Sequence, residues 1–107
     1  MINLNDLARD IHRWRHENFP RPTTSHWEPF LGMVEEIGEL AHYLLKNRQQ
    51  VREVHIADET DAICDVLIYL LHYCSDRGID IEKELKATWD RVKQRNWKAF
   101  PKNGMTE

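Results

Sequence analysis

Apolar residues recur at helical spacing in four stretches of this chain, and no stretch alternates as a half-buried strand does. Leu4, Leu7, Ile11 and Trp14 set the first, which predicts a helix over Leu4 to Asn18. Phe19-Pro20-Arg21-Pro22 ends it, because proline cannot continue a helix and restrains the residue before it. Ser25 then offers an N-cap, with Glu28 three residues on as a capping box. Pro29 falls in the first turn, where a missing N–H is tolerated. The second helix runs to about Asn47, with Leu31, Val34, Ile37, Gly38, Ala41, Leu44 and Leu45 as its apolar face. Arg48 to Val54 is polar and reads as a loop. A third helix starts near Ile56 and stops before Gly78, a natural C-terminal cap. Asp80 caps the fourth, with Glu82 and Glu84 in its first turn, where the helix dipole favours them. Leu85, Trp89, Val92 and Trp97 carry it to Phe100, and Pro101 and Gly104 mark a loose tail. The predicted fold class is all-α, a bundle of four main helices. Four strongly apolar faces exceed what one small core covers, which predicts a homo-oligomer, a homodimer or homotetramer.

The polar positions that break this pattern are acidic. Asp65 interrupts the otherwise nearly apolar run Ala62 to Leu71, and a carboxylate in such a run needs a partner or a metal. On a wheel of about 100° per residue, Asp58, Asp61 and Asp65 form one stripe, continued by Tyr69 and His72. Opposite that stripe lie Ile63, Leu67, Leu70 and Cys74. In the second helix Glu35, Glu36 and Glu39 share a side opposite Val34, Ile37 and Ala41. A solvated face accounts for Glu35 to Glu39 taken alone. It accounts less well for Asp65, whose neighbours on the wheel include Ile68 and Tyr69. Acidic stripes that face each other repel and call for divalent cations, and an oxygen-only donor set points to Mg²⁺ or Mn²⁺.

Composition narrows the field. A length of 107 residues makes residues 1–107 one domain. Hydrophobic residues at 41% and charged residues at 31% suit a folded globular chain rather than a disordered one. A net charge of −3 disfavours nonspecific nucleic-acid binding. No apolar run reaches the roughly 18 residues that span a bilayer, and Met1-Ile2-Asn3-Leu4 does not open a secretory signal, so the expectation is a cytoplasmic protein without a membrane partner. Cys64 and Cys74 fall on the apolar side of the third helix and read as buried free thiols. The basic residues gather late, and with no Gly-rich phosphate loop in the chain, Lys93 and Arg95 are candidates to contact phosphate. Four tryptophans are many for this length; Trp14 and Trp27 are candidates to stack on a base. Glu39-Leu40-Ala41-His42 fits half of a di-iron ExxH pair, but no second ExxH exists. His12 and His16, four apart, have metal-ligand spacing and read more simply as surface residues.

Glu35-Glu36-Ile37-Gly38-Glu39-Leu40 resembles the EExxE motif of the MazG-like, all-α nucleotide pyrophosphohydrolases. Asp65-Val66-Leu67-Ile68-Tyr69-Leu70-Leu71 is similar to the segment that carries that family's ExxD, and Trp89 to Trp97 looks like its last helix. The resemblance spans nearly the whole chain in order and spacing. It implies that Glu36, Glu39 and Asp65 bind Mg²⁺, with Glu35 assisting or positioning the attacking water. The implied reaction is hydrolysis of a nucleoside triphosphate to monophosphate and pyrophosphate. The chain departs at one place: Ala62 stands where the family has a glutamate. Asp61, four residues before Asp65 on the same predicted face, is the candidate substitute ligand. The alternative is a weakened nucleotide-binding or helical oligomerisation module in which Ala62 has removed a metal ligand.

Overall fold

The computed structural model describes residues 2–20 and 27–106, and all its regular structure there is helical. In chain order these are α1 (Leu4–Asn18), α2 (Trp27–Arg48), α3 (Ile56–Asp76) and α4 (Ile81–Val92). The expected Asp80 cap of α4 forms, and α1 has a side-chain cap too. Asn3 caps α1 by accepting from the Asp6 amide at 3.0 Å, and Asp80 caps α4 by accepting from the Lys83 amide at 3.2 Å. Gly78 follows α3 with φ of 65°, a left-handed turn that glycine enters without steric cost. The expected Ser25 cap lies outside the described residues.

α4 is shorter than its apolar spacing predicts, ending at Val92 rather than Phe100. Asn96, just beyond, keeps the chain from resuming the helix. Its side chain accepts from the amides of Lys98 and Ala99 at 3.1 and 3.0 Å, a local alternative to helical bonding. Its own amide donates to the Gly104 carbonyl at 2.7 Å, which folds the tail back. There Gly104, with φ of 74°, packs close under the Trp97 ring.

α3 is the centre of the fold, with α2 on one flank and α1 on another, while α4 touches α1. Ala8, Ile11 and Leu71 form the core between α1 and α3, with Leu4, Leu7 and Ile81 packed around it. Asn5 ties α1 to α4 by donating from its side chain to Asp80 at 2.7 Å and from its amide to Glu82 at 3.2 Å. His72 is buried between α1 and α3; burial lowers its pKa below the ordinary value, against the opposing pull of Asp76.

α2 presents to α3 a face other than its most apolar one. Through its first four turns the buried or half-buried positions are Pro29, Gly32, Met33, Glu36 and Leu40, a stripe at helical spacing. Gly32 marks the closest approach: a methyl group there would meet the Tyr69 ring at 2.4 Å. The expected apolar face is turned outward instead, leaving Leu31, Val34, Ile37, Leu44 and Leu45 exposed, together with Ile63 and Leu67 of α3. Cys64 is exposed as well, against the expectation of two buried thiols; only Cys74 is buried. The radius of gyration is 17.8 Å, whereas a compact domain of this length has about 13 Å. Among the described residues no helix is long and apolar enough to cross a membrane.

Candidate functional site

The rotation of α2 that exposes its leucines turns Glu36 inward. Glu36 and Asp65 line one open groove of about 630 Å³, bounded also by Arg13, Trp14, Arg15 and Tyr69. Glu36 comes from α2, Asp65 and Tyr69 from α3, and the others from α1, so the groove exists only where three helices meet. Glu35 and Glu39 line a second hollow of about 450 Å³, with His42, Tyr43 and Arg52. One carboxylate oxygen from each of Glu35, Glu36 and Glu39 lies within 4.8 Å of the other two.

These charges act on one another. Partial loss of hydration raises the Glu36 pKa above its ordinary 4.5, and the charges of Glu39 and Asp65, a hydrogen bond shared with Glu39, and the charge of Glu35 raise it further. Each of those neighbours disfavours a second negative charge, and a hard cation relieves all of them together. The three glutamates supply oxygen donors alone, a set suited to a hard cation rather than a soft metal, and Asp65 falls outside their 4.8 Å grouping although its charge reaches Glu36. A raised carboxyl pKa means that the folded chain holds more protons than the unfolded one just above pH 4.5. Without divalent cation, stability is therefore expected to fall as pH rises through the raised Glu36 value. Carboxyl NMR should find Glu36 titrating above 4.5, with Glu39→Gln moving it down; an ordinary midpoint that ignores Glu39 would contradict the shared cluster.

The other candidate residues divide. Trp14 lies in the groove, more than half exposed, with its ring open to a ligand. Asp61 is exposed, lies outside the groove lining and is not among the charges that raise Glu36. One residue turns a helix by about 100°, so burying Ala62 swings Asp61 away from the position Ala62 occupies. Lys93 caps the C-terminus of α4 and pairs with Asp90 at 3.0 Å, and Arg95 lies in the exposed segment beyond; neither lines the groove. The Lys93 and Lys86 ammonium groups instead hold the Asp90 carboxyl below its usual range.

Three cations that composition did not single out stand closer. Arg13 and Arg15 flank Trp14 in the groove, and Arg52 faces Glu35 and Glu39 across the hollow. Arg13 pairs with Asp10, and the Arg15 guanidinium stacks on the Tyr69 ring, 4.3 Å from its centroid. The triplet Arg13-Trp14-Arg15 was the available clue: alternate cations about an aromatic residue at the end of an amphipathic helix.

No protein family, curated protein or solved structure matches this chain.

Proposed function

We propose that the chain is a Mg²⁺-dependent nucleoside triphosphate pyrophosphohydrolase of the MazG-like type, releasing a monophosphate and pyrophosphate. The observation that carries this reading is the meeting of Glu36 and Asp65 in one groove with Trp14, Arg13 and Arg15. Carboxylates for a cation, guanidinium groups for phosphate and an aromatic face for a base are the three recognition elements a nucleoside triphosphate needs. The sequence resemblance and the groove involve the same two acids, Glu36 and Asp65.

Glu36, Glu39 and Asp65 would hold the cation, and Glu35 would orient the attacking water. When bound, Mg²⁺ neutralises charge on the phosphoryl oxygens and lowers the pKa of water. Arg13 and Arg15 supply planar donors that match phosphate oxygens. Trp14 offers its face to the base, an interaction that is tolerant of base identity and leaves selectivity to the groove edges. Mg²⁺ and Mn²⁺ are both suited to the donor set.

The exposed row Leu31, Val34, Ile37, Leu44 and Leu45 supports a second copy as its cover. An extended protomer that leaves one helix face dry-sided in water is stabilised by burying that face, and identical chains do so symmetrically as a homodimer or homotetramer. A cytoplasmic site of action belongs to the same proposal.

Ala62 favours a second reading. It is buried, and Asp61 is turned away from its place, so the donor set stands one carboxylate short of the motif it resembles. A nucleotide-binding module with weakened catalysis follows if Glu35, Glu36, Glu39 and Asp65 do not suffice. Product analysis on a panel of ribo- and deoxynucleoside triphosphates tests the reaction assigned. Monophosphate and pyrophosphate in equal amounts are expected; diphosphate and orthophosphate would contradict the bond assigned.

A further inference from the structure

A second cluster of ligand-type side chains lies where α1 crosses α3, apart from the carboxylates of α2. His12 and His16 are one turn apart on α1, and His72 and Asp76 are one turn apart on α3. The side chains of His72 and Asp76 are only 9% and 8% exposed. His12 Nδ1 lies 2.8 Å from Asp76 Oδ1, and His72 Nε2 lies 3.3 Å from the same oxygen. The His12 and His16 rings are 4.2 Å apart between centroids, and those of His12 and His72 are 5.7 Å apart.

The proximity leaves polar atoms unsatisfied. His12 Nδ1, His16 Nε2, His72 Nδ1 and Asp76 Oδ2 are all buried without a hydrogen-bond partner. The 2.8 Å approach of His12 to Asp76 is therefore a close charge contact without hydrogen-bond alignment. Orphaned buried donors and acceptors are rare in native folds, and several at one helix crossing point to a missing common partner. Among the described residues, the ion pairs of Asp76 are with the two imidazoles alone. Arg15, the nearby cation on α1, stacks on Tyr69 instead of pairing with it.

We propose that His12, His16 and Asp76 bind one Zn²⁺ ion that pins α1 to α3. One ligand atom from each lies within 4.8 Å of the other two. Tetrahedral zinc with bonds of about 2.0–2.1 Å holds its ligand atoms about 3.3 Å apart, a closure that small side-chain rotations supply. Two imidazoles and a carboxylate select a borderline transition metal over Mg²⁺. His72 stands beside the carboxylate as its positioning residue, the role that groups behind a metal ligand take in orienting it. The site is independent of the nucleotide groove: its four residues are not among those lining the groove.

The test uses the whole chain carrying Glu36→Gln, which weakens the carboxylate cluster, stripped with chelator and reloaded with zinc chloride alone. One zinc per chain is expected to survive desalting, with a rise in Tm of about 5 °C or more at saturating metal. Both should be lost with His16→Ala and with Asp76→Asn, each checked for helix content by circular dichroism. Zinc retention unchanged in folded His16→Ala, or none in the parent, would overturn the proposal. Cobalt titration of the parent decides the matter without any ligand variant. Intense visible bands of a tetrahedral complex support the site, and their absence overturns it.

Discussion

Replacing Asp65 with asparagine is expected to lower kcat/KM for nucleoside triphosphate by about 100-fold or more, since even outer-shell partners of a metal tune its affinity on a 10- to 100-fold scale. The substitution keeps the shape of the side chain and removes one charge. Asp65 is half-buried on α3, in the groove with Glu36, and its charge is one of those that raise the Glu36 pKa. Without cation, removing it relieves a repulsion, so the fold should be retained and the melting temperature in chelator should hold or rise. The combination is diagnostic. A solvated acid would leave both activity and stability unmoved, and a structural acid would lower both. Steady-state kinetics beside thermal melts in chelator distinguishes the three, and wild-type turnover in Asp65→Asn would sink the site.

If a second copy covers α2 as proposed, Ile37→Glu is expected to weaken that association. Ile37 lies mid-way along the exposed row from Leu31 to Leu45. Within the protomer it is half-exposed, so a glutamate there costs the isolated chain less than it would cost an interface. In an interface it would place an unpaired charge at the apolar centre. Central interface residues commonly contribute about 2 kcal/mol or more, so association should weaken by about 30-fold at least. Sedimentation at micromolar concentration reads this directly. A wild-type chain that stays monomeric there, or a variant that associates equally well, would contradict a second copy as the cover for α2.

The helices were legible in the sequence because local rules govern them. Asp80 caps, Gly78 stops, and Pro20 follows the end of α1, each within a few residues of what it controls. α4 overran because the apolar spacing from Trp89 through Val92 continued toward Trp97, while the Asn96 side chain offered the backbone a competing set of bonds. The facing of the helices was less legible. Counting apolar residues assigned the Val34–Ile37 side of α2 to the core, yet the chain packs α2 through Gly32, whose lack of a side chain admits the Tyr69 ring. Close approach at a small residue outweighed hydrophobic content, and it is what carries Glu36 into the groove. Asp65 stood out because a charge in an apolar run is conspicuous. Arg13, Arg15 and Arg52 did not, because arginines on helix surfaces and in loops are ordinary until the fold places them beside acids. The pair His12 and His16 was read as surface; its partners His72 and Asp76 are some 60 residues away in sequence, and only the crossing of α1 and α3 joins them.

Pyrophosphate release by the wild-type chain, followed over a nucleotide panel with Mg²⁺ and with excess chelator, decides whether the groove between α1, α2 and α3 is a metal-dependent pyrophosphohydrolase site as proposed. Release with Mg²⁺ and none above background with chelator is expected. A folded chain that binds nucleotide yet releases no pyrophosphate with either would contradict catalysis and leave Ala62 as the mark of a binding module.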